Sequence, residues 1–172
     1  MRRRFLIFFC LLAMALWTHG AGQKDKGYLI TFHVEAEDNS NPKMVTPVKL
    51  GAEHRQYFFG KLPTFSANDI QWFYPFTSQD GYTYGAAFRF KEHASQELKA
   101  ITLTNQGKLL AVRCSDAPIH AVLIDRPIDD GVVVVWNGLQ QRHLEEFRKV
   151  FPHVDDVSGQ GGAGPEFALP SR

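Results

Sequence analysis

Residues 84–107, Tyr84-Gly85-Ala86-Ala87-Phe88-Arg89-Phe90-Lys91-Glu92-His93-Ala94-Ser95-Gln96-Glu97-Leu98-Lys99-Ala100-Ile101-Thr102-Leu103-Thr104-Asn105-Gln106-Gly107, decide the fold class, because their hydrophobic period changes midway. Up to Phe90 the run is dense in aromatic and apolar residues and reads as a strand. From Lys91 onward, Ala94, Leu98 and Ile101 recur at spacings of four and three, with Glu92, Gln96, Glu97 and Lys99 elsewhere around the turn. That is an amphipathic helix ending near Asn105, with Gly107 as its stop. A strand feeding directly into a helix makes this a mixed α and β chain.

Working toward the C-terminus, Lys108–Cys114, Ile119–Ile124 and Val132–Trp136 read as strands. The last is β-branched almost throughout, which predicts a strand covered on both faces or lying centrally. Leu144, Phe147 and Phe151 then mark a second helix, closed by Pro152. Toward the N-terminus, Ile70–Phe76 is dense in aromatics and faces Tyr82–Phe90 across Ser78-Gln79-Asp80-Gly81, a hairpin with Asp80-Gly81 at its tip. Ser66-Ala67-Asn68-Asp69 supplies an N-cap and one helical turn. Arg55–Phe59 and Val45–Leu50 are short strands about a turn at Gly51, Asp38–Pro42 is a loop, and Tyr28–Glu35 alternates as a first strand. Strands, helix, strands, helix, joined by short turns, predict an α+β fold: a largely antiparallel sheet with two helices packed on one face.

Met1-Arg2-Arg3-Arg4, the apolar run Phe5–Trp17 and the exit Thr18-His19-Gly20-Ala21 form a positive n-region, a short h-region and a small-residue exit. Those are the parts of a secretory signal peptide of bacterial type, expected over residues 1–20. The run is short for a membrane span, which needs about 20 apolar residues. An anchor through Cys10 is disfavoured by the bulky Phe8 and Phe9 before it. Residues 21–27 read as a flexible lead-in, 28–157 as a single domain, and 158–172, rich in glycine, as a disordered tail. The expected location is periplasmic or secreted, with no membrane span after signal cleavage.

Removing residues 1–20 takes three of 19 basic residues and none of 18 acidic ones, so the remaining chain is mildly acidic. No basic patch points to nucleic acid. Cys10 also leaves, and Cys114, flanked by Leu109, Leu110, Ala111 and Val112, reads as a buried thiol in a strand.

The candidate chemistry is sparse. His33, His54, His93, His120, His143 and His153 have no spacing of a zinc helix and no cysteine pair beside them, so no metal site and no cofactor is expected. Asp125, Asp129 and Asp130 are the most suggestive acidic set, since converging carboxylates serve as acid and base. In Asp125-Arg126-Pro127 and Asp129-Asp130-Gly131, however, they read equally as turn chemistry. No G-x-S-x-G elbow occurs. Trp72 and Tyr74 fall on one face of their strand and Phe73 on the other; aromatics so placed can stack on sugar or anchor a protein.

Residues 84–151 resemble the soluble head of the SecD protein-export subunit. The resemblance rests on the strand ending Phe88-Arg89-Phe90, the helix after it, Gly107-Lys108-Leu109-Leu110-Ala111, Ala117-Pro118-Ile119, and the glycine-led valine strand from Gly131 with its closing helix. SecD carries several membrane-spanning helices and this sequence has none after its signal, so the resemblance implies a shared fold module rather than export activity. The expected function is that of an exported, non-enzymatic domain binding a protein or cell-envelope component. The alternatives are a small hydrolase with a carboxylate site near Asp125, Asp129 and Asp130, and a carbohydrate-binding module using Trp72 and Tyr74.

Overall fold

The structure is a computed structural model that describes residues 29–37, 41–115 and 117–153. The expected signal peptide, lead-in and tail (1–20, 21–27 and 158–172) lie outside the described residues. The strands are β1 (Ile30–Val34), β2 (Val45–Leu50), β3 (Arg55–Gly60), β4 (Phe65–Ser66), β5 (Ile70–Thr77), β6 (Tyr84–Phe90), β7 (Leu109–Cys114), β8 (His120–Leu123) and β9 (Val132–Leu139). The helices are α1 (Glu92–Thr104) and α2 (Gln141–Val150).

Local chemistry explains most element ends. Ser66 and Asp69 form a capping box around the short 3₁₀ turn Ala67–Asp69: Asn68 N donates to Ser66 Oγ at 3.3 Å, and Ser66 N donates to Asp69 Oδ2 at 2.8 Å. Asp80 holds the β5–β6 hairpin by accepting from the backbone amides of Tyr82 and Thr83, each at 2.8 Å. α1 ends at Thr104, and Asn105 turns its amide back to Ile101 O. α2 starts with an unusual box, in which His143 Nδ1 accepts from Gln140 N at 3.0 Å. Pro152 follows its last turn.

All strand ladders are antiparallel. Hydrogen bonding divides them into a four-stranded sheet in the order β4-β1-β7-β8, a three-stranded sheet β5-β6-β9 and the hairpin β2-β3. Register places Ile30, Phe32 and Val34 opposite Cys114, Val112 and Leu110, so the core face of β1 and β7 is apolar, and His120 of β8, opposite Val112, shares that face. The same logic aligns Phe73 with Phe88 and Phe88 with Val133 in the second sheet. These two faces and the apolar stripes of both helices (Ala94 and Leu98; Leu144 and Phe147) share one core. Phe88 meets Phe147 edge-on at 5.4 Å and Phe32 meets Phe90 at 4.9 Å. Such pairs add about 0.5–1.5 kcal/mol each beyond area burial. The α+β layout with both helices on the core side is thus present, and Cys114 is fully buried in it.

The valine strand departs from expectation. β9 is an edge of its sheet and, among the described strands, pairs only with β6. Val133 and Val135 are buried, whereas Val132 and Val134, on the opposite face, are half-buried. β-branching marks a strand but does not place it, because one covered face is enough to favour it.

Away from the main core, the β2–β3 hairpin follows the end of β1, with Glu35 bridged to Phe59, and lies over the other face of the first sheet. There Phe59 and Ala111 are buried outside the main core, lining the same space. Ala36 N donates to Phe58 O at 2.8 Å, tying the hairpin to the end of β1.

Candidate functional site

The outer face of the β5-β6-β9 sheet follows from its register. Trp72 pairs with Arg89, Tyr74 with Ala87 and Phe76 with Gly85, while Arg89 and Ala87 pair onward with Val132 and Val134. Three aromatics therefore stand in a row along β5, beside the small residues Gly85 and Ala87. Phe76 leans across that floor and meets the ring of Trp136 at 5.9 Å. The close approach requires glycine at 85: a Cβ there would run into the Phe76 ring and stand 2.7 Å from Trp136 O. Trp72 and Ala87 are buried yet outside the main core, and Tyr74, Phe76 and Trp136 are half-buried. At the β5 edge, Phe73 N donates to Pro152 O at 3.3 Å, and His153 packs on Phe73 and Tyr74 at 5.9 and 6.1 Å.

Trp72 and Tyr74 are thus on one face, as their spacing requires. Phe76 and Trp136 join them, and sequence reasoning missed both. Phe76 continues the i, i+2 row and was there to be found. Trp136 arrives only through the pairing of β6 with β9.

Asp125, Asp129 and Asp130 lie in the exposed connection between β8 and β9. Asp130 Oδ1 accepts from Val132 N at 3.0 Å, and its carbonyl accepts from the Arg89 guanidinium. Ile128 N donates to the fully buried Thr102 Oγ1 at 2.9 Å, which itself donates to Leu98 O at 2.7 Å. The loop is accordingly fastened to α1 by Thr102 and to the outer sheet face by Arg89. Asp130 spends one carboxylate oxygen on its own turn, the arrangement that aspartate offers in connections.

The histidines serve structure in several places. His33 Nδ1 donates to Gly60 O at 2.7 Å, since a carbonyl only accepts, and its Nε2 lies 3.0 Å from Thr31 Oγ1. Burial holds its pKa below the ordinary value, with the charge of Arg113 adding to the effect. His120 is likewise lowered, by burial first and then by His143. Its Nε2 is buried without a hydrogen-bond partner. Among the described residues no group of three or more His, Cys, Asp or Glu side chains is placed to hold a metal ion. No helix among them is long and apolar enough to cross a membrane.

The architecture defines a class: an α+β domain of antiparallel sheets with two helices on a shared core. No protein-family model matches the sequence, and no curated protein matches it significantly. Solved structures of SecDF do match in fold. One, of a membrane component SecDF that enhances protein export, is 18% identical with a TM-score of 0.48, over 73% of this chain and 60% of that one. Another, of SecDF in a super-membrane-facing form, is 18% identical with a TM-score of 0.47, over 71% of this chain and 18% of that one. A segment of this chain therefore resembles SecDF. The chain spans less than two thirds of the length of either structure.

Proposed function

We propose that the chain is an exported, non-enzymatic domain that binds a protein or cell-envelope component through the outer face of β5-β6-β9. Residues 1–20 act as its signal peptide, 28–157 form its single domain, and it works in the periplasm or outside the cell. The supporting observation is the row Trp72, Tyr74 and Phe76, continued by Trp136 over the small floor of Gly85 and Ala87. Aromatic side chains bring large contact area at low entropic cost and dominate binding hot spots. Asp130, by contrast, is held by backbone contacts of its own loop, which supports a structural role for the acidic set.

The test compares the wild-type protein with Y74A/F76A and with D125N/D129N/D130N, each checked for folding by circular dichroism. Capture of one reproducible envelope protein by wild type and by the triple variant, lost in Y74A/F76A, is the expected result. A hydrolytic turnover that the triple variant abolishes without loss of stability would overturn it. Quenching of tryptophan fluorescence by envelope glycans rather than by protein would move the reading to carbohydrate binding at Trp72 and Tyr74.

A further inference from the structure

A cavity of about 60 Å³ opens between the β2–β3 hairpin and the outer face of β1 and β7, on a different sheet from the aromatic row. Its apolar wall is Val48, Phe59 and Ala111, and its polar lining includes His33, Lys61 and Arg113. Among the described residues no carboxylate lines it. We propose that this cavity is a binding site for a carboxylate group on a short apolar stem, with Arg113 and Lys61 as its charge partners. The site goes beyond the aromatic face and stands independently of it.

The placement follows from the register. Thr31 pairs with Arg113 and His33 with Ala111, so all four side chains leave the same face of the sheet, opposite the core. Phe59 descends from β3 to close one side. His33 holds the hairpin over this face by donating to Gly60 O, next to Lys61. With Nδ1 donating to a carbonyl and Nε2 accepting from Thr31 Oγ1, both ring nitrogens are committed, and the imidazole is a wall rather than a charge. The positive charge is that of Lys61 and Arg113. Neither forms an ion pair with another described residue, so both cations stand ready for an anion from outside.

Size and lining select the ligand. The volume is room for about four to six waters at the smallest space a water requires, which suits a carboxylate with two or three carbons. A planar guanidinium matches a carboxylate with two parallel hydrogen bonds. A phosphate would turn further oxygens toward Val48 and Phe59, where they would find no donor and lose solvation. Two sources share the favoured chemistry: a free short-chain acid, and a glutamate side chain of a partner. Met44 and Leu62, 56% and 75% exposed, flank Lys61, with Lys61 N donating to Met44 O; they offer apolar contact to whatever carries the carboxylate.

The experiment is a titration of the ¹⁵N-labelled processed protein with sodium propionate at constant ionic strength, followed by amide shifts. Saturable shifts centred on Gly60, Lys61 and Arg113 are expected, with propionamide causing none. R113Q should weaken binding at least tenfold and K61Q several-fold, with both variants keeping the wild-type spectrum elsewhere. An N-acetyl-Leu-Glu-Leu-amide peptide separates the sources. Tenfold tighter binding than propionate assigns the site to a partner's glutamate, and equal or weaker binding assigns it to a free acid. Shifts that do not saturate, that persist in both R113Q and K61Q, or that inorganic phosphate produces at lower concentration would overturn the proposal.

Discussion

Ser95, in the first turn of α1, occupies the space that a side chain on Gly131 would need: a Cβ at 131 would come within 2.7 Å of Ser95 Cβ. Gly131 also has φ of +63°, a conformation that costs other residues about 1–2 kcal/mol. Phe90 N donates to Gly131 O at 2.9 Å, and Ser95 Oγ donates to Phe90 O at 3.0 Å. The end of β6, the start of α1 and the entry to β9 are therefore stitched together at one point.

Gly131→Ala should consequently destabilise the protein by about 2–4 kcal/mol, combining the backbone cost with overpacking against Ser95. Urea unfolding measures this. Adding Ser95→Gly should return part of the steric loss but none of the backbone cost, so a double variant no more stable than Gly131→Ala would show that the contact is not the cause.

Thr102 makes the second fastening of the 125–131 connection. Its hydroxyl, fully buried, accepts from Ile128 N while donating to Leu98 O. Thr102→Val keeps the shape and leaves the amide of Ile128 without its acceptor. The expected cost is about 1–3 kcal/mol. Hydrogen exchange at Ile128 should accelerate more than exchange in β7, and uniform acceleration would argue against a local role.

These two contacts show where sequence reading stops. The hairpin about Asp80-Gly81, the stop after α1 and the capping turn at Ser66 were legible because each depends on residues within a few positions. The aromatic pair Trp72 and Tyr74 was legible from a period of two. Trp136 beside Phe76, Ser95 beneath Gly131 and Arg113 near Lys61 depend on how distant strands register, which no local period encodes. The edge position of β9 escaped for the same reason. A run of valines states a preference for extended backbone and says nothing about how many neighbours the strand has. Asp130 lies between these cases: aspartate before glycine announces a turn, but its carbonyl meeting Arg89 does not show in the sequence.

Cys114 supplies a chemical test of core packing. Burial pushes its thiol up to about 12, so at pH 8 it is overwhelmingly protonated and enclosed besides. Ellman's reagent should titrate no thiol in the folded, processed protein and one thiol in 6 M guanidinium. Non-reducing electrophoresis of protein alkylated only after unfolding should show monomer alone. Fast native labelling would mean that the β1–β7 contact around Cys114 opens readily.

His33 and His120 set the pH response. Both have folded-state values below the ordinary 6.5, for which burial is the first cause. The folded state therefore holds fewer protons than the unfolded state between those lowered values and 6.5. Their contribution to stability is complete above pH 6.5 and is lost as pH falls from there toward the folded values. Protonating His33 would put a second ring proton against Thr31 and add repulsion from Arg113; protonating His120 would place an N–H in a buried position with no acceptor. Asp80, lowered by its bonds to Thr83 and Tyr82, acts only below the ordinary carboxylate value of 3.8 and does not enter this window. The urea midpoint should thus fall between pH 7.5 and pH 5.5. His33→Gln and His120→Gln should each reduce that fall, whatever they cost at pH 7.5, and the pair should flatten it most. A midpoint unchanged over this range in the wild-type protein, or a fall of the same size in the double variant, would place the titration elsewhere.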